Sequence, residues 1–268
     1  MTGTLFTPPQ TEPEIFYPIE DGKPLAESPE HFQVILNTFT VLAQYLQGQK
    51  AVVMSNQFLY YIQHNPRARV APDVMVIFDV DYSDRQNYKI WSEGETPKVV
   101  FEMTSPSTRN EDTGFKYGIY EQMGVEEYWL FDPKGEWIPE KLRGYRLQDI
   151  VVAGTEETIY QPIQDGISQA LQLRLQVEDK LISFYRLSTG EKLPIPDELL
   201  ETVESQKVEL EAERSARIVA EEARIAAETE AQQEKLRIQQ AIPKLRELGL
   251  SVEQIAEILG STVAAIEP

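Results

Sequence analysis

Along the first part of the chain, the hydrophobic positions change from helical spacing to runs of consecutive apolar residues. Ser28 can cap a helix and Pro29 suits its first turn. The apolar residues from Phe32 to Leu46 then recur every three or four positions, which predicts an amphipathic helix with one face on a core. Four short runs rich in β-branched and aromatic residues follow and predict strands. They span residues 51–54, 58–62, 74–80 and 99–103.

The middle of the chain has one further helix and one further strand. The helix is predicted to open near Thr108 and to run to about Met123, because Gly124 suits the left-handed position at a helix end. Residues 126–131 have the composition of a strand. The Asp-Pro-Lys-Gly sequence at 132–135 predicts the turn that ends it.

Residues 142–193 alternate in short apolar and polar pieces, which predicts hairpins. Turn signals stand at Gly154, Gly166 and Gly190. A strand, helix and strand in the middle of the chain with hairpins around them predict an α/β fold, in which helices cover the faces of a mixed sheet.

The composition changes at residues 194–197. From there to Gln240 the chain is rich in Ala, Glu, Arg and Gln and has no glycine or proline, so it predicts a long helix. Apolar residues seven apart, such as Ile218 and Ile225, are not sustained over several heptads. A solvated helix with i,i+4 charge pairs and a coiled-coil oligomerisation arm therefore both remain open.

Beyond Pro243, a short apolar helix is outlined by the glycines Gly249 and Gly260 and by the capping residue Ser251. This pattern is similar to the first half of a helix-turn-helix, but the segment after it is short, apolar and without basic residues. We expect a capping or docking helical hairpin rather than an element that reads DNA. The predicted organisation is an extended segment (1–20), an α/β domain (21–193), a charged helical extension (197–242) and a helical hairpin (243–268).

The composition restricts the possible chemistry. Cysteine is absent, which excludes disulfides, thiolate metal sites and cysteine nucleophiles. With only two histidines, a metal would be held mainly by oxygen ligands, which favours Mg²⁺ or Mn²⁺. The formal net charge is −19, and acidic residues outnumber basic ones before Asp197 as well as after it. Such an acidic chain repels phosphate backbones at long range, which argues against nucleic acid as a partner.

The first residues are polar and contain proline, with no basic segment followed by an apolar one as in a signal peptide. No apolar run approaches the roughly 20 residues that span a bilayer. We therefore expect a cytoplasmic protein without a membrane partner.

Two acidic residues stand where strands are expected. Glu102 lies inside an apolar strand, where a carboxylate is unfavourable unless it is paired or binds a metal, and it shares a side of that strand with Thr104. Asp73 follows Pro72 at the start of the preceding strand, where it can face a cleft. Carboxylates from two neighbouring strands can hold a divalent ion against a phosphate or a water.

The helix that follows carries three polar residues along one face. Asp112, Lys116 and Tyr120 stand at i, i+4 and i+8, so Lys116 can reach back over the strand ends and offer a positive charge to a phosphate. Each residue also has a structural explanation by itself. Asp73 can be a turn residue, Glu102 can pair with a basic side chain, and Asp112 with Lys116 is an ordinary helix salt bridge. The order and spacing of the residues together favour a site.

In this order, the motifs resemble the Uma2 family (the DUF820 type), whose restriction-endonuclease-like members are expanded in cyanobacteria. The resemblance extends from about residue 21 to residue 191. Its most specific parts are the SPST sequence with the Asp and Lys that follow it, and the GVEEYW strand. The motifs that carry it are RVAPD (69–73), PKVVFE (97–102), SPST (105–108), Asp112, Lys116, Tyr120 and GVEEYWL (124–130).

The resemblance implies a PD-(D/E)XK nuclease core, a restriction-endonuclease-like fold and a homodimer. Asp73 and Glu102 match the metal-binding acids of that core. The lysine of its E-x-K element falls at Thr104, where family members show a hydroxyl or apolar residue, and Lys116 of the helix resembles the migrated lysine. The first helix sometimes supplies a further acid, for which Glu30 is the nearest candidate. His31 stands where the family often has a histidine, although a lone helix histidine is more often structural.

Two functional hypotheses follow. In the first, the protein is a Mg²⁺-dependent or Mn²⁺-dependent endonuclease that hydrolyses DNA, with Asp73 and Glu102 as metal ligands, Lys116 as the catalytic cation and Asp112 orienting it. In the second, the same fold is a non-catalytic binding or assembly module whose helical tail oligomerises or recruits a protein partner. The acidic charge and the missing strand lysine favour the second hypothesis, and the acids with Lys116 favour the first.

Overall fold

The structure, a computed structural model, describes residues 15–22, 28–105, 108–152 and 154–266. The chain divides into two units, Met1–Leu199 and Leu200–Pro268. Most of the predicted N-terminal segment (1–20) lies outside the described residues, and so do Pro106 and Ser107 of the SPST motif.

The first helix is α1 (Pro29–Tyr45), which confirms the helix predicted from Ser28 and Pro29. The Ser28 Oγ accepts a hydrogen bond from the His31 backbone N–H at 3.2 Å and so caps the helix. The apolar stripe of α1, which includes Val34, Ile35 and Leu42, is buried against the sheet.

Between α1 and Met103 the chain forms six short strands and a one-turn helix. Two of the strands, β1 and β6, have the predicted bounds. The predicted strand at 58–62 is shorter than expected, and β3 and β5 were not predicted because a pair of residues carries no periodic signal. The elements are β1 (Ala51–Met54), β2 (Leu59–Tyr60), β3 (Arg69–Val70), β4 (Val74–Phe78), β5 (Tyr88–Lys89), α2 (Ile90–Glu93) and β6 (Val99–Met103).

After β6 the chain forms a helix and then further strands. The predicted helix contains a π-helical turn, π1, and continues as α3, which ends at Gly124 in the left-handed conformation (φ 78°) as the sequence predicts. The hairpins predicted over 142–193 are present as β8 to β12. The elements are π1 (Glu111–Lys116), α3 (Tyr117–Met123), β7 (Glu127–Phe131), β8 (Leu142–Val152), β9 (Thr155–Ile163), β10 (Ile167–Ser168), β11 (Leu173–Glu178) and β12 (Leu181–Arg186).

The main sheet has six strands in the order β1-β4-β6-β7-β8-β9. The pair β6 and β7 is parallel, because π1 and α3 carry the chain back across the sheet, and the other pairs are antiparallel. One face packs against α1 and the three-stranded sheet β10-β11-β12, and the other packs against α3 and residues of the β3-β2-β5 sheet. The predicted mixed sheet with flanking helices is confirmed, and β6, which carries Glu102, is central in it.

The second unit consists of most of α4 (Pro196–Glu247) with α5 (Val252–Ile258) and α6 (Val263–Ile266). The long helix continues through Pro243 to Glu247, although the sequence predicted a boundary there. A proline inside a helix removes one hydrogen bond and crowds the carbonyl four residues earlier, and the strong helix formers on both sides of Pro243 offset this cost. A small apolar cluster in this unit contains Ile255, Ala256 and Ile266. Among the described residues of α4 none is buried, so the coiled-coil arm stays a prediction. No helix in the described ranges is long and apolar enough to cross a membrane.

Gly144 of β8 pairs with Trp129 of β7, and the indole lies directly over it. A Cβ at Gly144 would lie 2.5 Å from a ring carbon of Trp129, which no packed core tolerates. We therefore predict that Gly144→Ala lowers the free energy of unfolding by about 1–3 kcal/mol, as overpacking does. Urea denaturation followed by circular dichroism measures the change.

Gly118 of α3 provides the control, because nothing lies within 4 Å of a Cβ added there. Gly118→Ala should leave the free energy of unfolding unchanged or raise it by up to about 1 kcal/mol, since alanine is the better helix former. Equal effects of the two substitutions would contradict the close packing of Trp129 on Gly144.

Candidate active site

Glu102 is a carboxylate in the centre of the main sheet. Its side chain lies on the face that α3 covers, and only 1% of its surface is exposed. Its Oε2 accepts a hydrogen bond from the Lys116 Nζ at 2.8 Å, and its Oε1 accepts one from the Tyr120 hydroxyl at 2.6 Å. Burial raises the pKa of Glu102, Lys116 opposes this, and the Asp73 and Asp112 carboxylates add to the rise, which brings the pKa to about 8.

Asp73 lies beside Glu102 at the same end of the sheet. Val74 of β4 pairs with Phe101 of β6, so the antiparallel register continued by one position sets Asp73 opposite Glu102. The Asp73 Oδ2 accepts a hydrogen bond from the Met103 backbone N–H at 2.6 Å, which holds the carboxylate against the end of β6. Two neighbouring strands thus bring two acids together.

The π-helical turn directs a further acid and a lysine toward the same place. Asp112 is 1% exposed, and its Oδ1 lies 3.1 Å from the Lys116 Nζ. Burial raises the pKa of Asp112, and Lys116 opposes the rise together with the Thr108 side chain, so this ion pair is the main compensation of its buried charge. A π-helical turn is wider than an α-helical one, and the Tyr128 hydroxyl donates to the Asp112 carbonyl at 2.9 Å within it.

Lys116 is the cation at the centre of this group, which we call the carboxylate–lysine cluster: Asp73, Glu102, Asp112 and Lys116. Burial lowers the pKa of Lys116, but the neighbouring carboxylates of Glu102 and Asp112 outweigh that effect and hold the pKa above its usual value. The ammonium therefore stays charged, and it lies close to two of the three acids of the cluster.

The other predicted site residues differ in where they lie. The Tyr120 hydroxyl contacts Glu102. Thr104, two residues after Glu102 in the chain, is buried. The His31 Nε2 lies 3.9 Å from the Asp73 Oδ2. Glu30 does not join the cluster, because its carboxylate pairs with Lys180 at 2.5 Å and Lys134 at 3.7 Å.

Sequence reasoning missed two buried residues of this sheet. The first is Tyr128, whose hydroxyl supports π1, and no local pattern marks an aromatic residue in a strand as a hydrogen-bond donor to a helix. The second is Glu127, which is 1% exposed and carries the same signal as Glu102, a carboxylate within an apolar strand. Its partners are structural, because it pairs with Arg146 at 3.2 Å and accepts from the Ser168 hydroxyl at 2.5 Å, which ties β10 to the main sheet.

The donor set of the cluster is suited to a hard cation. In the described ranges there is no group of three or more histidine or acidic side chains placed to hold a metal ion. Mg²⁺ is commonly held by one or two carboxylates, with waters and substrate phosphates as its remaining ligands, so a pair of acids is sufficient. Asp73 and Glu102 are the pair that fits, and both oxygens of Glu102 already accept hydrogen bonds that a cation would have to share or replace.

Removing the ammonium from the cluster should destabilise the fold. We predict that Lys116→Met lowers the free energy of unfolding by about 3–5 kcal/mol at pH 9, where the buried carboxylates of Glu102 and Asp112 are charged and lose their cation. The loss should be smaller near pH 6 than near pH 9. An acid whose folded-state pKa is raised, as that of Glu102 is to about 8, takes up a proton and avoids the buried charge at low pH. Urea denaturation at the two pH values measures the difference.

The control for this prediction is the double variant Glu102→Gln with Lys116→Met, which removes the buried charge of Glu102 together with that of Lys116. Its destabilisation should be smaller than the sum of the two single effects, as for contacting residues. Additive effects would contradict the coupling that the 2.8 Å contact indicates.

Comparison with known proteins places the chain in a family. The model of the Uma2 family, described as "Putative restriction endonuclease", matches residues 7–178. A search of the curated proteins found no match. Among solved structures, the chain is similar to the crystal structure of a putative nuclease belonging to DUF820 from Anabaena variabilis ATCC 29413, with 16% sequence identity, a TM-score of 0.41, and coverage of 60% of this chain and 87% of that one. Because the family model spans well over half of the chain and includes the whole carboxylate–lysine cluster, this protein belongs to the Uma2 family.

Proposed function

We propose that this protein is a Mg²⁺-dependent endonuclease that hydrolyses phosphodiester bonds of DNA, with Mn²⁺ as an alternative cation. The observation that carries the proposal is the convergence of Asp73 and Glu102 from adjacent strands, with the Lys116 ammonium 2.8 Å from Glu102. The description of the family, "Putative restriction endonuclease", supports it.

In this proposal Asp73 and Glu102 hold the cation. When bound, a divalent ion supplies a water of lowered pKa and positive charge for the phosphate oxygens. Tyr120 fixes the orientation of Glu102 through its hydroxyl, and the Met103 backbone N–H fixes that of Asp73. Both carboxylates are thereby held in place before a substrate arrives, which reduces the reorganisation that binding requires.

Lys116 supplies the positive charge that a strand lysine at position 104 would otherwise provide. Its raised pKa keeps the ammonium protonated at neutral pH, so it acts by charge and hydrogen bonding and not as a base. Asp112 orients it from the preceding turn at 3.1 Å. The ammonium can thus offset charge that develops on the scissile phosphate.

One feature of the cluster favours the alternative, a non-catalytic binding or assembly module. Both oxygens of Glu102 are occupied by hydrogen bonds, and Lys116 is already paired with two carboxylates. A cluster that is electrostatically satisfied within the protein has a purely structural explanation. The two functions differ in whether the acids bind a divalent ion and whether DNA is cut.

Cation binding can be measured without any substrate. We predict that millimolar Mg²⁺ raises the melting temperature of the wild-type protein, because a ligand that binds the folded state stabilises it. The shift should be absent in Asp73→Asn. An equal shift in wild type and variant would mean that Mg²⁺ binds elsewhere, and no shift in the wild type would favour the binding module.

Cleavage is tested on linear, nicked and branched DNA with Mg²⁺, with Mn²⁺ and with EDTA. We predict divalent-ion-dependent cleavage that falls by at least about a hundredfold in Asp73→Asn and in Lys116→Met, since each removes an electrostatic contribution to the transition state. Circular dichroism establishes that each variant is folded under the assay conditions.

The matched control is Lys98→Met, which removes a lysine from an ion pair with Glu126 outside the cluster (2.6 Å) and should cut DNA like the wild type. Cleavage that persists in Asp73→Asn would show that the activity comes from another site or from a contaminant. If the folded wild type cuts none of the substrates, the endonuclease proposal is wrong.

A further inference from the structure

A small cavity of about 50 Å³ lies beside the carboxylate–lysine cluster, between the start of α1, the end of β6 and the loop after β7. His31, whose Nε2 is 3.9 Å from Asp73, connects the cavity to the cluster. The cavity opens to solvent, and it has room for water molecules or a phosphate oxygen. The wall also contains Thr104, Ser105, Lys134 and Trp137 and the three acids Glu30, Asp132 and Glu136. Of these acids, Glu30 pairs with Lys180, and Asp132 accepts hydrogen bonds from backbone N–H groups of its own loop.

The Thr104 hydroxyl is a buried polar group without a partner. The residue is 4% exposed, it lines the cavity, and in the described part of the chain its Oγ1 has no hydrogen bond. A buried hydroxyl that lacks a hydrogen bond costs about 1–3 kcal/mol, so such groups usually face a water or a ligand. Thr104 directly follows Met103, whose N–H holds Asp73, so a molecule that reaches this hydroxyl also approaches the proposed metal ligands.

At the same place, the Arg109 guanidinium lies over the Trp137 ring, 4.0 Å from its centroid. This is a cation–π contact, and a guanidinium is a group that is well suited to bind phosphate. None of the described acidic side chains forms an ion pair with Arg109. The Trp137 side chain is 39% exposed, and Asp132 holds its backbone in place by accepting from the Trp137 N–H at 2.6 Å.

The charges near the cavity make Arg109 the cation that can meet a phosphate. Lys116 is paired with Glu102 and Asp112, and Lys134 lies 3.7 Å from Glu30. The chain has a net charge of −19, so phosphate binding beside the candidate active site needs a local positive charge. Arg109 can supply that charge, because it forms no ion pair with a described acid.

We propose that Arg109 and Trp137 form a nucleotide-binding subsite that selects unpaired DNA. Arg109 binds a phosphate next to the scissile one, and an oxygen of that phosphate or a bridging water reaches Thr104. A base stacks on the face of the Trp137 indole opposite to the one that Arg109 covers. Bases within a duplex are already stacked on both faces, so only a single-stranded or frayed segment can use an aromatic platform. The inference rests on the proposed function, because it takes DNA as the ligand, and it names the DNA structure that the site accepts.

Binding is measured in EDTA, so that no cleavage interferes, by the fluorescence anisotropy of a dye-labelled oligodeoxythymidine and of a blunt-ended hairpin duplex. The wild type should bind the single strand more tightly than the duplex. Arg109→Gln and Trp137→Ala should each weaken single-strand binding by about tenfold or more, as the loss of one stacked base or one phosphate contact does. Trp137→Phe, which keeps an aromatic face and fills most of the same space, should retain most of the affinity.

The matched control is Arg186→Gln, because Arg186 also lies over an aromatic ring, Tyr45, at the other end of α1. It removes the same charge and the same type of contact, and it should change single-strand binding by less than about twofold, because Arg186 lies over Tyr45 and does not line the cavity.

The inference is overturned if the wild type does not bind the single strand, if Arg109→Gln and Trp137→Ala bind it like the wild type, or if both variants lose duplex binding to the same extent. Single-strand binding that depends on Arg109 and Trp137 in a protein without nuclease activity would support this inference and reject the endonuclease proposal. If the protein cuts DNA and neither variant changes kcat/KM on single strands, the endonuclease proposal is supported and this inference is rejected.

Discussion

A buried ammonium among carboxylates is the interaction on which the rest of this structure depends. Lys116 lies between Glu102 and Asp112, in the interior of the α/β unit, where an unpaired charge of either sign would be strongly unfavourable. The lysine that meets Glu102 at 2.8 Å comes from the helical segment that crosses the sheet directly after β6. The parallel pairing of β6 and β7 and the path of π1 and α3 are therefore coupled to one ion pair.

The same contacts that stabilise the cluster limit what it can bind. Both oxygens of Glu102 accept hydrogen bonds, one from Lys116 and one from Tyr120. A divalent ion at Glu102 would therefore have to displace one of these donors or share an oxygen with it. A pKa of about 8 for Glu102 reflects the same balance, because burial and the nearby acids favour the protonated carboxyl while Lys116 favours the charged one. The Glu102 oxygens that stabilise the fold are thus the same atoms that would bind a metal ion.

Two glutamates in adjacent strands show why a buried carboxylate is not by itself evidence of chemistry. Glu102 and Glu127 are each 1% exposed in strands of the same sheet. Glu127 is satisfied by Arg146, Ser168 and backbone N–H groups of the adjoining loop, and it joins two sheets. Glu102 is instead close to two other acids, Asp73 and Asp112, and this accumulation of like charge sets the candidate active site apart.

The sequence by itself determined the elements that have a local signal. Hydrophobic spacing located α1, β1 and β6, glycine located the end of α3, and an acid in an apolar strand drew attention to Glu102, because these features depend on neighbours within a few residues. The motif order also identified the family. Only the tertiary structure decided that Glu30 pairs with Lys180 and that a π-helical turn carries Lys116. It also decided that Arg109 lies over Trp137, near the Thr104 hydroxyl that has no hydrogen bond among the described residues. Those outcomes depend on contacts between residues far apart in the chain, which no local pattern encodes.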